Sequence, residues 1–251
     1  MATYKKKGFN KESKQAVELE STTAEVFNTL DETASKSEQW IEKNSKPLLY
    51  GLIAVVVIVL GFMGYTKYIV APQEMKASNE IAFPRKHFNE ATTSGADIDS
   101  LFTLSLEGAD GNLGFVDIAS IYKGTKAGNL ANYYAGISYF QIKKYEEAIR
   151  YLSAFSSKDE ILAPTALGAI GDAFADINQL EDALSYYEQA ANVNKNEFTT
   201  PLFLFKAAQI AMETENYSKA EQLCTRIKDE YSKSEQGRDI EKYISSAAFA
   251  Q

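Results

Sequence analysis

The side chains that most often carry out chemistry in proteins are scarce in this sequence of 251 residues. Its one histidine, His87, and its one cysteine, Cys224, are far apart in the chain and make a poor nucleophile–base pair. His87 has no Cys or carboxylate partner at the spacing of metal ligands, so we predict no metal site. A single cysteine cannot form a disulfide within the chain, which leaves a buried thiol or an intermolecular bridge.

Two pairs of adjacent carboxylates could be mistaken for an acid–base site, Glu146 with Glu147 and Glu181 with Asp182. Both pairs open predicted helices, where acidic side chains interact favourably with the helix dipole. The sequence also lacks the G-x-S-x-G, H-E-x-x-H, P-loop and C-x-x-C motifs. We therefore predict a protein that is not an enzyme and has no cofactor. A cryptic enzyme would instead need a polar pocket with converging titratable groups.

Composition and charge narrow the class of protein further. Apolar residues make up 45% of the chain, which excludes a wholly disordered protein. The net charge is −8, and no basic stripe follows the long apolar segment described next. Because nucleic-acid binding depends on basic side chains that contact phosphates, we predict no nucleic-acid partner.

One segment, residues 48–70, is long and apolar enough to cross a membrane as a helix. It carries no charge from Leu48 to Tyr65, and Lys67 can extend towards the membrane surface. A cleaved signal peptide does not fit, because 47 residues precede the segment and no A-x-A triplet follows it. We interpret it as a permanent membrane anchor in contact with lipid. The alternative is a buried helix of a soluble protein.

Basic residues are more frequent before the anchor than after it. The segment before it contains Lys5, Lys6, Lys7, Lys11, Lys14, Lys36, Lys43 and Lys46, and the first part after it contains Lys67, Lys76, Arg85 and Lys86. The positive-inside rule then predicts a cytoplasmic N-terminus and a C-terminal domain outside the cytoplasm. Residues 1–47 would form a cytoplasmic tail with a helix from Lys14 to Asn44, either solvated or a docking or dimerisation helix.

Between the anchor and residue 129 the sequence predicts a divergent helical region, residues 73–128. A helix from Glu74 to about Ala91 should be kinked or split at Pro84. The apolar run from Leu101 to Leu106 is of uncertain type, and GADGN after it is a turn. A short helix should then follow from Phe115 to Tyr122.

Residues 129–251 contain three similar units, 129–155, 164–190 and 201–227. Matched positions recur at intervals of 35 and 37: they are small at Gly136, Gly171 and Ala208, aromatic or Leu at Tyr145, Leu180 and Tyr217, and Ala at Ala148, Ala183 and Ala220. This pattern resembles the tetratricopeptide repeat, which implies an all-α solenoid of helix–turn–helix units. A helix from Glu235 to Ala248 should cap its C-terminal end. The alternative is an unrelated helical bundle.

In such a solenoid the first helices of the units line a concave groove. The repeat positions that should face it, here called the groove residues, are Tyr133, Ile137, Phe140, Asp172, Asp176, Phe205, Gln209 and Met212. An aromatic and Met-containing surface with an acidic centre suits an extended or helical peptide of a partner. Charged residues in place of Tyr133 and Phe205 should then weaken partner capture without unfolding the protein. The alternative is that several groove residues are inter-repeat core.

The combination of a short tail, one span and an exported repeat domain resembles the YfgM-type ancillary subunits of the SecYEG translocon. The stretch GNLGFVDIASIYKGTKAGNLANYYAGISYFQIKKYEEAIRYLSAF, 111–155, is especially similar to the Bacteroidota members, and the resemblance covers about residues 35–245. It implies a bacterial inner-membrane protein whose periplasmic domain works beside SecYEG with a PpiD-type membrane-anchored chaperone and receives secretory polypeptides. It assigns no ligand residues. The alternative is a periplasmic scaffold for envelope assembly or cell division, independent of Sec.

Overall fold

The computed structural model describes residues 40–94 and 97–250. Most of the predicted cytoplasmic tail, including the helix predicted from Lys14 to Asn44 up to residue 39, lies outside the described residues. The chain divides into two compact units, one ending at Tyr65 and one beginning at Thr66. Each unit is described by itself, and the predicted roles of residues 1–47, 48–70 and 73–128 stay predictions.

The first unit contains helix α1, Ser45–Tyr65, which covers most of the predicted span. Among the residues that the structure describes, one helical run is long and apolar enough to cross a membrane, and α1 lies in it. None of the residues of α1 is buried. Its large apolar side chains are all exposed, so α1 is not a core helix of the described chain.

The second unit opens with one π-helical turn, Thr66–Val70, followed by α2, Ala71–Glu80, and α3, Ala82–Ser94. The helix is split as predicted, but the break falls at the buried residue Ile81, three residues before the predicted position at Pro84. Pro84 lies in the first turn of α3, where its missing N–H removes no helical hydrogen bond.

The apolar run of uncertain type lies in a helix, α4, Ile98–Glu107. The GADGN turn closes a small antiparallel hairpin, β1, Gly108–Ala109, and β2, Asn112–Leu113. Asp110 and Gly111 both have positive φ, as a two-residue hairpin turn of this hand requires. Helix α5, Phe115–Ile121, follows close to its predicted bounds, and the class remains all-α apart from this hairpin.

The three predicted units are three helix pairs. Their first and second helices are α6, Lys126–Gln141, and α7, Tyr145–Ala154; α8, Leu162–Asp176, and α9, Leu180–Val193; α10, Thr199–Glu213, and α11, Tyr217–Glu230. The capping helix α12, Ile240–Ala250, begins five residues later than predicted, because residues 232–239 form turns.

Small residues set how closely the helices of each pair approach. A Cβ on Gly136 would lie 2.5 Å from Cγ of Leu152, and one on Gly171 would lie 2.7 Å from the ring of Tyr187. Ala148 and Ala183, at the matched positions of the second helices, are completely buried. The positions that define the repeat in sequence are therefore the points of closest helix contact.

The turn within each pair contains one residue in the left-handed region, Lys143, Asn178 or Glu215, with φ of 57–59°. The N–H of the next residue bonds back to the first helix, as in the bond of 2.8 Å from Asn216 to the carbonyl of Ala211. This arrangement satisfies carbonyls that the helix end leaves free. Glycine is the usual residue here, so the lysine and the glutamate carry a steric cost.

Replacement of Glu215 by glycine tests that cost. We expect Glu215→Gly to raise the free energy of unfolding by about 0.5–1 kcal/mol, because glycine adopts this conformation without a Cβ clash. Gln222→Gly, at an exposed position inside α11, is the control and should lower it by about 1 kcal/mol. Denaturant unfolding of the full chain in mild detergent, followed by circular dichroism, measures both. Destabilisation by Glu215→Gly would contradict this account.

Candidate partner-binding groove

All groove residues lie on the first helices α6, α8 and α10, as predicted. Each of these first helices packs against the preceding helix pair. Leu152 of α7 packs with Ala166 and Ile170 of α8, and Phe155 joins this cluster from the loop after α7. The first helices thus form a continuous layer on which each predicted residue can be placed.

Tyr133 and Ile137 are half-buried and pack against the cluster between the first two pairs. The ring centroid of Tyr133 lies 5.2 Å from that of Phe155, and burial raises the pKa of the Tyr133 phenol. These contacts give Tyr133 a structural role. A charged residue there should destabilise the fold, so it is a poor probe of partner binding.

Asp172 is the centre of an inter-repeat polar cluster. Its carboxylate accepts a hydrogen bond of 2.5 Å from the Tyr187 hydroxyl and is contacted by Nζ of Lys206 at 2.6 and 2.9 Å. Burial and then the Asp172 hydrogen bond raise the pKa of Tyr187. The predicted acidic centre is therefore largely neutralised at Asp172, because Lys206 of the next repeat pairs with it.

Asp176, one turn further along α8, is exposed. It faces the Tyr145 side chain, whose pKa is raised by desolvation first and by this carboxylate second. The Tyr145 ring in turn lies edge-on to Phe140, with 5.6 Å between centroids. Phe140, Tyr145 and Asp176 thus form an aromatic corner with one exposed negative charge.

At the other end of the groove, α12 covers part of the third repeat. The ring of Phe205 meets Tyr243 of α12 edge-on at 4.8 Å, and Met212 packs against the cluster that contains Ala247. Gln209, between them on α10, is exposed. The structure therefore leaves Gln209 and the Phe140 corner open, and it places Phe205 and Met212 against the capping helix.

Four residues that contact the groove residues were not predicted to do so from the sequence: Tyr145, Tyr187, Lys206 and Tyr243. Lys206 had a usable signal, because it lies on a first helix and 34 positions after Asp172, close to one repeat period. Tyr187 and Tyr243 lie on second and capping helices, which the repeat positions assign away from the groove.

The groups first considered for chemistry lie elsewhere. Cys224 is buried, and burial raises its pKa to about 11, so the thiol is protonated near neutral pH. His87 packs on Phe83, and its Nδ1 is 3.1 Å from a carboxylate oxygen of Glu90, a partner that we did not predict for it. Within residues 40–94 and 97–250, no cluster of three His, Cys, Asp or Glu side chains could hold a metal.

An open cleft of about 540 Å³ lies between α5, the start of α6 and the end of α7. Its lining includes Lys123, Asn132 and Tyr151 and none of the groove residues. It brings together no carboxylate, histidine or cysteine, so it does not have the converging titratable groups of an acid–base site.

Comparison with known proteins identifies the repeats. Residues 133–197 and 168–235 match the tetratricopeptide repeat family model, which confirms the repeat interpretation over the three helix pairs. No curated protein matches the chain. A helical fold built of such repeats is typically a non-catalytic scaffold for protein–protein interaction.

The polar cluster at Asp172 gives a stability prediction. Asp172→Ala should lower the free energy of unfolding by about 1–3 kcal/mol, because the buried Tyr187 hydroxyl loses its acceptor. Lys206→Met should cost only about 0–1 kcal/mol, because both charged side chains are about a third exposed. Asp172→Asn keeps an acceptor for the Tyr187 hydroxyl and is the control. Its loss in the free energy of unfolding should be close to that of Lys206→Met. Equal losses for Asp172→Ala and Lys206→Met in denaturant unfolding would contradict the assignment.

Proposed function

We propose that this chain, with its tetratricopeptide repeats over residues 133–235, is a single-pass protein of the bacterial inner membrane that acts as a non-enzymatic ancillary subunit of the Sec translocon. Its repeat domain would bind a PpiD-type membrane-anchored chaperone, emerging secretory polypeptides, or both. The proposal joins three arguments: an exposed apolar helix, the charge distribution around it, and an interaction domain beyond it.

The observation that carries the proposal is the exposure of α1. From Ser45 to Tyr65 no residue is buried within the described chain, and the large apolar side chains of the helix are all exposed. Apolar surface on this scale is strongly unfavourable in water, at about 25 cal/mol for each Å². A lipid bilayer removes that cost, and a single helix satisfies its own backbone hydrogen bonds there.

Orientation follows from the lysines. The excess of basic residues before α1 favours a cytoplasmic N-terminus, so the repeat domain would stand in the periplasm. A domain attached directly after a span stays close to the membrane, where translocated chains emerge. That location suits an interaction scaffold for the translocon better than it suits a diffusing adaptor.

The groove supplies the binding surface. Asp176 and Gln209 are exposed and Phe140 is half-buried, and the cluster between the first two helix pairs lies beside the Phe140 corner. Aromatic side chains with a few polar groups bind extended or helical peptide segments with little loss of conformational entropy. No step of bond making or breaking is needed for this role.

The experiment that tests the proposed function is affinity purification of the tagged full chain from its native membrane in mild detergent, with partners identified by mass spectrometry. We expect SecY and a membrane-anchored chaperone to be enriched over a control span of unrelated sequence. Reproducible recovery of envelope-assembly or cell-division proteins without SecY would overturn the translocon assignment and support the periplasmic scaffold.

Groove variants test where the partner binds. Asp176→Lys with Gln209→Lys should reduce partner recovery about tenfold, because a loss of about 1.4 kcal/mol in binding gives that factor. Glu181→Lys with Gln222→Lys makes the same charge change at exposed positions of second helices and should leave recovery unchanged. Unfolding curves of both variants should match the parent. Equal recovery in the two variants would place the binding surface outside the groove.

A further inference from the structure

Three large apolar side chains are exposed beside the loops that connect successive helix pairs. Ile121 precedes α6 and is 58% exposed, Ile161 precedes α8 and is 45% exposed, and Phe198 precedes α10 and is 71% exposed. Because these loops all lie at the starts of the first helices, they share one edge of the repeat domain. We call it the loop edge, formed by residues 121–125, 155–161 and 194–198.

Hydrogen bonds within the loops fix the backbone at Ile161 and Phe198. The carboxylate of Asp159 accepts hydrogen bonds from the N–H groups of Ile161 and Leu162 at 2.9 and 2.8 Å, and these bonds lower its pKa. Asn196 accepts from the N–H of Phe198 at 2.9 Å in the matching position. Its amide also donates to the carbonyl of Glu160 at 3.0 Å, which ties the two loops together. The apolar side chains are therefore held outward by ordered backbone.

The sequence repeats this arrangement. The segment Lys-Asp-Glu-Ile at 158–161 and the segment Lys-Asn-Glu-Phe at 195–198 each place an exposed lysine three residues before the exposed apolar side chain. Both segments are followed by a buried proline, at Pro164 and Pro201. An apolar tip beside a lysine is the pattern of a surface that enters the boundary between lipid headgroups and acyl chains.

Helix α2 contacts the repeat domain beside the loop edge. Glu74, in the first turn of α2, accepts hydrogen bonds from the N–H groups of Lys126 and Ala127 at 2.6 and 3.0 Å. These N–H groups open α6, beside the first loop. At a rise of about 1.5 Å per residue, Glu74 is about 6 Å along the helix from Val70, where the apolar sequence ends.

We propose that the loop edge rests on the membrane, with Ile121, Ile161 and Phe198 inserted at the level of the lipid headgroups. The inference rests on the proposed anchoring by α1. The loop edge carries as many basic as acidic side chains, Lys123, Lys158 and Lys195 against Asp159, Glu160 and Glu197, so the attachment is apolar and depends little on salt. The first helices then rise from the bilayer, and the groove that they line runs parallel to its surface.

Fluorescence quenching by lipids tests this arrangement on the full chain, with its one tryptophan removed by Trp40→Phe. Phe198→Trp places an indole at the loop edge, and Glu181→Trp places one at the opposite edge, in the exposed first turn of α9. Both proteins are reconstituted into vesicles of phosphatidylethanolamine and phosphatidylglycerol, with or without lipids brominated near the headgroup end of the acyl chains. Both leaflets contain bromine, so the orientation of the protein does not affect the result.

We expect bromine to remove about half of the Phe198→Trp emission and less than about a tenth of the Glu181→Trp emission, as an indole at the interface requires. The quenching should persist at about 0.5 M salt, where exposed charges are screened. Equal quenching of both indoles would overturn the proposal. Loss of the bromine quenching of Phe198→Trp at high salt would also overturn it. A blue-shifted but unquenched indole at position 198 would show that a protein surface covers the edge, which also overturns it.

Flotation of the same vesicles after alkaline carbonate washing separates this inference from the proposed function. A chain that floats but is not quenched keeps its anchor and lacks the membrane-resting edge. A chain that carbonate removes from the vesicles has no anchor, and both proposals then fail.

Discussion

The close approach of paired helices at small residues is the constraint on which the repeat domain depends. Gly136 lies against Leu152 and Gly171 against Tyr187, at distances that leave no room for a side chain. The same principle acts between repeats, where a Cβ on Gly168 would overlap the ring of Phe203. Because these contacts fix the separation of the helices, they also fix which side chains remain on the concave face.

The divergent region before the repeats is part of the same packing scheme. Leu106, Phe115 and Ile118 share a core with Ala131 and Ala135 of α6. The hydroxyl groups of Ser105 and Ser138 lie 3.2 Å apart within the buried contact between α4 and α6. The first repeat thus has an apolar partner on its outer side, which a terminal repeat needs in order to avoid exposing its core face.

The sequence predicted the helix pairs well, because the repeat period reports tight contacts inside each pair. It predicted less at positions whose role depends on another repeat: Asp172 was read as an open charge, whereas Lys206 pairs with it. The start of α12 was placed too early, because the Ser234 hydroxyl and the N–H of Gly237 close a turn that no apolar period reveals. The left-handed residues Lys143 and Glu215 gave no signal, since their residue types rarely adopt that conformation.

The hydrogen bonds that Glu74 accepts have a mechanical meaning. A pull on α2 reaches the repeat domain through the core contact of Ile81 with α6 and, more directly, through this carboxylate and two successive amides at the start of α6. Part of the load therefore enters the stack at the N-terminal end of α6. In mechanical terms, the Glu74 carboxylate is a point at which force on α2 passes into the first repeat.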